Sequence, residues 1–129
     1  MTELRKANLD IKITVKPVHR QDRNVPGTQH VFSYTISIEN NSEEVVKLTH
    51  RHWSILDGPV HERVIEGEGV VGDQPTLYPD EKYEYSSWCP IGTEYGVMRG
   101  YYTFVNLNTQ EGFRVSIPEF LLLPSFNLN

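Results

Sequence analysis

Apolar and polar residues alternate strictly along Leu9-Asp10-Ile11-Lys12-Ile13-Thr14-Val15-Lys16, along Phe32-Ser33-Tyr34-Thr35-Ile36-Ser37-Ile38-Glu39, and along Tyr83-Glu84-Tyr85-Ser86-Ser87. A period of two describes a strand with one buried and one wet face. Pro17 ends the first run or marks it as an edge, and the polar segment 19–28 with its Pro-Gly reads as a loop. Asn40-Asn41-Ser42-Glu43-Glu44 reads as a turn. A third strand spans about 45–56, and its apolar side changes partway. Val46 and Leu48 share a side with His50 and His52, whereas Trp53 and Ile55 take the other, which predicts a bulge or a shift between sheets near Arg51. Asp57-Gly58-Pro59 turns the chain into a short charged strand over 60–66, which leads to a glycine-rich loop. After a turn at Pro79-Asp80 and the Tyr83 strand, 88–96 reads as irregular. Val97 to Val105 reads as a strand with Gly100 as a bulge or close-approach point. Residues 106–112 form a hairpin loop and Phe113-Arg114-Val115-Ser116-Ile117 a last strand. No window repeats every 3.6 residues. Short antiparallel strands with turns every 8–12 residues predict an all-β immunoglobulin-like sandwich. With no cysteine pair, the fibronectin type III form is expected.

The 129 residues suit a single domain, 1–129, large enough for its own core. Twelve Lys+Arg against 17 Asp+Glu leave a formal charge of −5, the wrong sign for general nucleic-acid binding. A lone cysteine, Cys89, excludes an internal disulfide and a cysteine-built zinc site. No apolar leader or membrane-length run is present, so a soluble protein of a reducing cytoplasm is expected.

The segment Glu66-Gly67-Glu68-Gly69-Val70-Val71-Gly72-Asp73-Gln74-Pro75 holds a G-x-G-x-x-G. In dinucleotide-binding folds that spacing follows a strand and opens a helix. Pro75 and Pro79 leave no room for such a helix. Three glycines free to take positive φ remain. One reading is a phosphate nest built from Gly67, Gly69, Val70, Val71 and Gly72, helped by Arg51, His52 or Arg63. The other is a purely structural turn. Glu66, Glu68 and Asp73 weigh against a bare phosphate, since a carboxylate ~5 Å away costs about 3 kcal/mol at an effective dielectric of 20. Glu68 and Asp73 could instead hold Mg²⁺ or another divalent cation that carries the phosphate.

His50 and His52 face the same way and could share a metal if His61 or Glu62 supplied a third ligand; the alternative is one packed against an aromatic ring and the other solvated. Cys89 reads as a buried, inert thiol. No triad spacing appears, and nothing argues for an enzyme. Successive side chains of Phe120-Leu121-Leu122-Leu123 cannot all enter one core. This run is therefore the candidate partner surface, for a homodimer or another protein.

Taken together, Phe32-x-Tyr34-x-Ile36-x-Ile38-x-Asn40, Arg51-His52-Trp53-x-Ile55, Gly67-x-Gly69-Val70-Val71-Gly72-x-Gln74-Pro75, Tyr83-x-Tyr85-x-Ser87, Gly96-x-Met98-x-Gly100-x-Tyr102 and Ile117-Pro118-x-Phe120 resemble the ApaG family, in order over about residues 9–124. The pattern departs after Asp57, where Gly58-Pro59-Val60 stands for a longer polar hairpin. The resemblance implies a fibronectin-III-like sandwich, here in the bacterial stand-alone form. The same module is fused to F-box and polymerase-interacting proteins in eukaryotes. It also implies an association with cobalt and magnesium tolerance, a glycine loop proposed to meet pyrophosphate, and protein partners in the F-box setting. The expectation is a non-enzymatic binding module. The rival is a Mg²⁺-dependent nucleotide-binding protein or weak phosphohydrolase.

Overall fold

A computed structural model describes residues 9–124. Eight strands follow one another: β1 (Ile11–His19), β2 (His30–Asn40), β3 (Val46–Asp57), β4 (His61–Glu68), β5 (Thr76–Leu77), β6 (Lys82–Ile91), β7 (Gly96–Asn106) and β8 (Glu111–Leu122). They form two antiparallel sheets, one ordered β1-β2-β6 and the other β4-β3-β7-β8, with β5 paired to the start of β3. The fold is the expected sandwich of the fibronectin type III kind. No helix occurs among the described residues, so none is long and apolar enough to cross a membrane.

Alternation builds the core. Ile13, Phe32, Tyr34, Ile36 and Ile38 come from the smaller sheet. Trp53, Ile55, Met98, Tyr102, Phe104 and Leu122 meet them from the larger one. Trp53 sits edge-on to Tyr34, Tyr102 and Phe120. The change of apolar side in β3 has the cause its sequence predicts. The register between β3 and β7 slips between Leu48 and His50. Val46 and Leu48 are buried before the slip, Trp53 and Ile55 after it, and His50 is exposed. Arg51 thereby shares the inward side with Trp53. Gly100 is the second slip; a Cβ there would stand 2.0 Å from the His52 carbonyl oxygen.

Several boundaries differ from the sequence reading. β6 continues through Trp88, Cys89, Pro90 and Ile91 instead of becoming irregular. Pro90 is tolerated because β6 is an edge, which needs no donor on its outer side. Pro17 and Pro118 lie within β1 and β8, also edges. β4 runs two residues further than expected and takes in Gly67.

The two long sides of the sandwich are unlike. β1 packs along β8 on one side. On the other, β4 overhangs the smaller sheet, and all its residues are exposed save half-buried Gly67.

Candidate functional site

The glycine loop is a hairpin turn. Val70 and Asp73 exchange backbone hydrogen bonds, 2.8 Å from the Val70 N–H and 3.0 Å from the Asp73 N–H. Between them Val71 and Gly72 both have positive φ, 49° and 79°. This is the type I′ geometry that suits the twist of antiparallel strands. Gly69, at φ 66°, is also left-handed, and a Cβ on it would meet the Asp73 carbonyl oxygen at 2.2 Å. Of the three glycines free to take positive φ, Gly69 and Gly72 do so; Gly67 is a strand residue, and the third left-handed position belongs to Val71.

The β3 bulge holds this turn. Thr49 O accepts the Gly69 N–H at 2.8 Å and the Gln74 side-chain amide at 2.9 Å. Arg51 reaches along the inner side, and its Nη1 donates to Glu68 O and Gly69 O, both at 3.0 Å. The guanidinium lies over Gly67, where a Cβ would stand 2.9 Å from Nη1 and Nη2. Most of the expected nest is thus spoken for. The N–H groups of Gly69, Val70 and Asp73 serve the turn, and the backbone N–H groups of Val71 and Gly72 have no acceptor among the described residues.

Arg51 and His52 leave β3 on opposite sides. His52 stacks flat on Tyr101 with centroids 4.6 Å apart and its Nδ1 lies 2.6 Å from Glu66 Oε2. Arg114 covers the other side of Tyr101 at 4.3 Å. The outer face of the larger sheet therefore carries a row Glu66, His52, Tyr101, Arg114 across all four strands. His50 is exposed, 3.0 Å from Thr49 Oγ1, so the two histidines fit the solvated-and-packed alternative. The two acids proposed for a cation diverge. Glu68 borders the outer groove with His50 and His52, while Asp73 accepts the Tyr83 hydroxyl of the other sheet at 3.2 Å. No group of three or more His, Cys, Asp or Glu that could hold a metal occurs among the described residues. Glu68 and Asp73 therefore do not converge on one point.

On the inner side a cleft of about 220 Å³ opens between β4 and β6, bordered by Tyr34, Arg51, Trp53, Ile65, Tyr85 and Met98 among others. Tyr85 and Tyr102 share a short hydroxyl–hydroxyl hydrogen bond. Burial pushes the Tyr34, Tyr85 and Tyr102 phenols up, so all three are neutral at physiological pH. Cys89 is buried, and burial pushes its thiol up to about 11.

At one end of the cleft Arg63 bolts the sheets together. Its Nη1 donates to Asp57 Oδ2 at 3.1 Å and its Nη2 to Pro90 O at 3.0 Å. Asp57 also accepts from the Gly92 N–H, the Thr93 N–H and the Thr93 hydroxyl at 2.8, 3.1 and 2.7 Å. Burial alone would raise Asp57, but these hydrogen bonds and the Arg63 charge outweigh it and hold the carboxyl below its ordinary range. The sequence reading missed this clamp, because a carboxylate facing a turn 35 residues away leaves no local signal.

The apolar run near the C-terminus divides by parity. Phe120 and Leu122 are buried, whereas Leu121 and Leu123 are exposed. Of the four residues expected to form a partner surface, Phe120 and Leu122 are spent on the core, and only Leu121 and Leu123 are open to solvent.

Comparison with known proteins decides the family. The ApaG domain model (DUF525) matches residues 20–106. The chain belongs to the ApaG domain family. Protein ApaG of Mesorhizobium japonicum is 42% identical over 114 residues, 88% of this chain and 87% of that one. Protein ApaG of Shewanella woodyi is 43% identical over 123 residues, covering 95% and 94%. Among solved structures, a Bordetella pertussis protein assigned as ApaA superposes with a TM-score of 0.83 at 40% identity, covering 90% of this chain and 94% of that one. The relatives and this chain match over nearly their whole lengths, so the glycine turn, the Arg51 cleft and the Asp57 clamp all lie within the shared region.

Proposed function

We propose that the domain is a non-catalytic binding module that receives an extended segment of a partner protein along the free edge of β4. The observation that carries this reading is the make-up of the sheet edges. β1, β6 and β8 contain Pro17, Pro90 and Pro118, whereas β4 contains no proline. Proline removes an edge donor and discourages pairing with another chain. β4 keeps its donors. Because the Gly69 N–H donates to Thr49 O, the antiparallel alternation turns the N–H and C=O of Glu66, Val64 and Glu62 away from β3. Val64 and Ile65 are 57% and 41% exposed and would give side-chain specificity to a strand added there. The buried thiol and phenols, all held protonated, support a binding rather than a chemical role. The partner would be met in the cytoplasm, and the family's association with cobalt and magnesium tolerance would act through it.

The test is Val64→Pro, which removes an outward-facing N–H without touching the β3 ladder. The variant should melt within a few degrees of the parent and fail to retain the partners that the parent captures from a native extract. Retention of the same partners by the folded variant would sink strand addition on β4.

A second reading, phosphate contact at the glycine turn, rests on the two acceptor-free N–H groups of Val71 and Gly72 beside Arg51. Here Mg²⁺ would arrive with the phosphate, near Glu68 or Asp73. Heat on titrating pyrophosphate with Mg²⁺ would favour this reading, and metal-dependent phosphate release from ATP would favour the phosphohydrolase alternative.

A further inference from the structure

We propose that the cleft between β4 and β6 binds a small carboxylate borne on a compact apolar or aromatic body, with Arg51 gripping the carboxylate. The Arg51 side chain is a cation with no carboxylate within ion-pair distance among the described residues. Both of its hydrogen bonds leave from Nη1, to Glu68 O and Gly69 O. The Nε–Nη2 edge, which takes a carboxylate in a parallel two-point grip, has no acceptor among the described residues. Those two Nη1 bonds also fix the guanidinium in place, so little rotamer freedom is lost when an anion arrives.

The walls name the rest of the ligand. Trp53, Ile55, Ile65 and Met98 supply apolar surface, and Tyr34, Tyr85 and Ser87 supply hydroxyl groups. The phenols remain neutral because burial disfavours their ionised forms, so no internal anion competes for Arg51. The volume is about 220 Å³, against the ~150 Å³ that suffices for benzene in an apolar cavity. A phenyl or branched-alkyl acid fits that size. A bare phosphate suits the cleft less well than a carboxylate on an apolar body: it would leave the walls of Trp53, Ile55, Ile65 and Met98 wet and find only one cation, Arg51.

The probe is 3-phenylpropionate, titrated into the full chain and followed by NMR of backbone amides, the Trp53 indole and the Ile65 and Met98 methyl groups. Saturating shifts confined to the cleft are expected below about 10 mM, with 3-phenylpropanamide at least about tenfold weaker. Arg51→Lys should lose the two-point grip and weaken the acid by a similar factor. Should that variant loosen the glycine turn, Ile65→Trp narrows the mouth with Arg51 intact and should also weaken binding. A Gly-Gly-Phe peptide with a free C-terminus binding more tightly than the acid would assign the source as a chain end; the reverse order would assign a free acid. Either order supports the site. No shift by about 10 mM, equal binding of the amide, or pyrophosphate acting on the same residues with equal affinity would overturn it. Val64→Pro should leave these shifts unchanged, so the cleft and the β4 edge stand or fall separately.

Discussion

Val71 is the residue whose backbone disagrees most with its side chain. A β-branched residue at φ 49° crowds its own carbonyl, and left-handed geometry costs an L-residue about 1–2 kcal/mol. Type I′ turns favour Asn-Gly at their centre, and this turn has Val-Gly. The side chain gains little in return from the fold, since it is 64% exposed. Val71→Asn should therefore raise stability by about 1 kcal/mol, seen as a higher urea midpoint with an unchanged slope. A lower midpoint would mean that Val71 makes packing contacts at the cleft mouth worth more than its strain. Gly67 follows the opposite logic. An added methyl would meet the Arg51 guanidinium rather than backbone, so it would be accommodated by displacing that group from its hydrogen bonds to Glu68 O and Gly69 O.

Among the elements, those with one wet face were legible and those with two were not. β1, β2 and the first half of β6 could be read from alternation alone, and the β3 bulge from the point where the apolar side switches. β4 could not be read to its end, because an overhanging strand needs no apolar side and Gly67 resembles loop. The second half of β6 was obscured by Trp88, which faces outward on a sheet edge, and by Pro90, which an edge tolerates. The site was legible in its parts only. Arg51 and the glycine turn were singled out, but the inward direction of Arg51 follows from the bulge, and its neighbours come from strands distant in sequence. For β8 parity makes a sharp prediction. Leu121→Glu changes an exposed position and should shift stability by less than about 0.5 kcal/mol. Leu122→Glu puts a carboxylate where Leu122 is fully buried and should cost about 4 kcal/mol or more, a large fraction of the stability of a domain of this size. Denaturation curves for the two variants check this directly. Equal effects would show that β8 does not keep the register described, Met98 opposite Phe120 and Gly96 opposite Leu122.

At the scale of the molecule, one long side of the sandwich is closed by packing of β1 on β8 and the other is held open with a bolt. The bolt is polar: Arg63 of β4 reaches both Asp57 at the end of β3 and the Pro90 carbonyl of β6. Asp57 gathers the end of β3, the turn after β6 and, through Arg63, the overhanging β4, so one carboxylate couples three segments. Its pH dependence has a definite sign. The folded carboxyl titrates below its unfolded value, so the unfolded chain binds the proton more readily. The stabilisation is therefore complete above the unfolded value near 4 and is lost as pH falls through the lower folded value. Asp57→Asn keeps the shape but removes the charge and turns one of the two acceptors into a donor, either the one facing Arg63 and Gly92 or the one facing Thr93. At neutral pH it should cost about 2–3 kcal/mol, as expected for breaking hydrogen bonds to a charged group in a buried setting. The gap between parent and variant should narrow steadily below about pH 4. Hydrogen exchange supplies a readout that global melting lacks. In the variant, amides of β4 and of 92–95 should exchange faster than those of β1 and β8, because the bolt is lost on one side only. Uniform loss of protection would mean that the clamp supports the whole core rather than the open side, and a gap that stayed constant down to pH 3 would mean that the Asp57 charge contributes nothing to it.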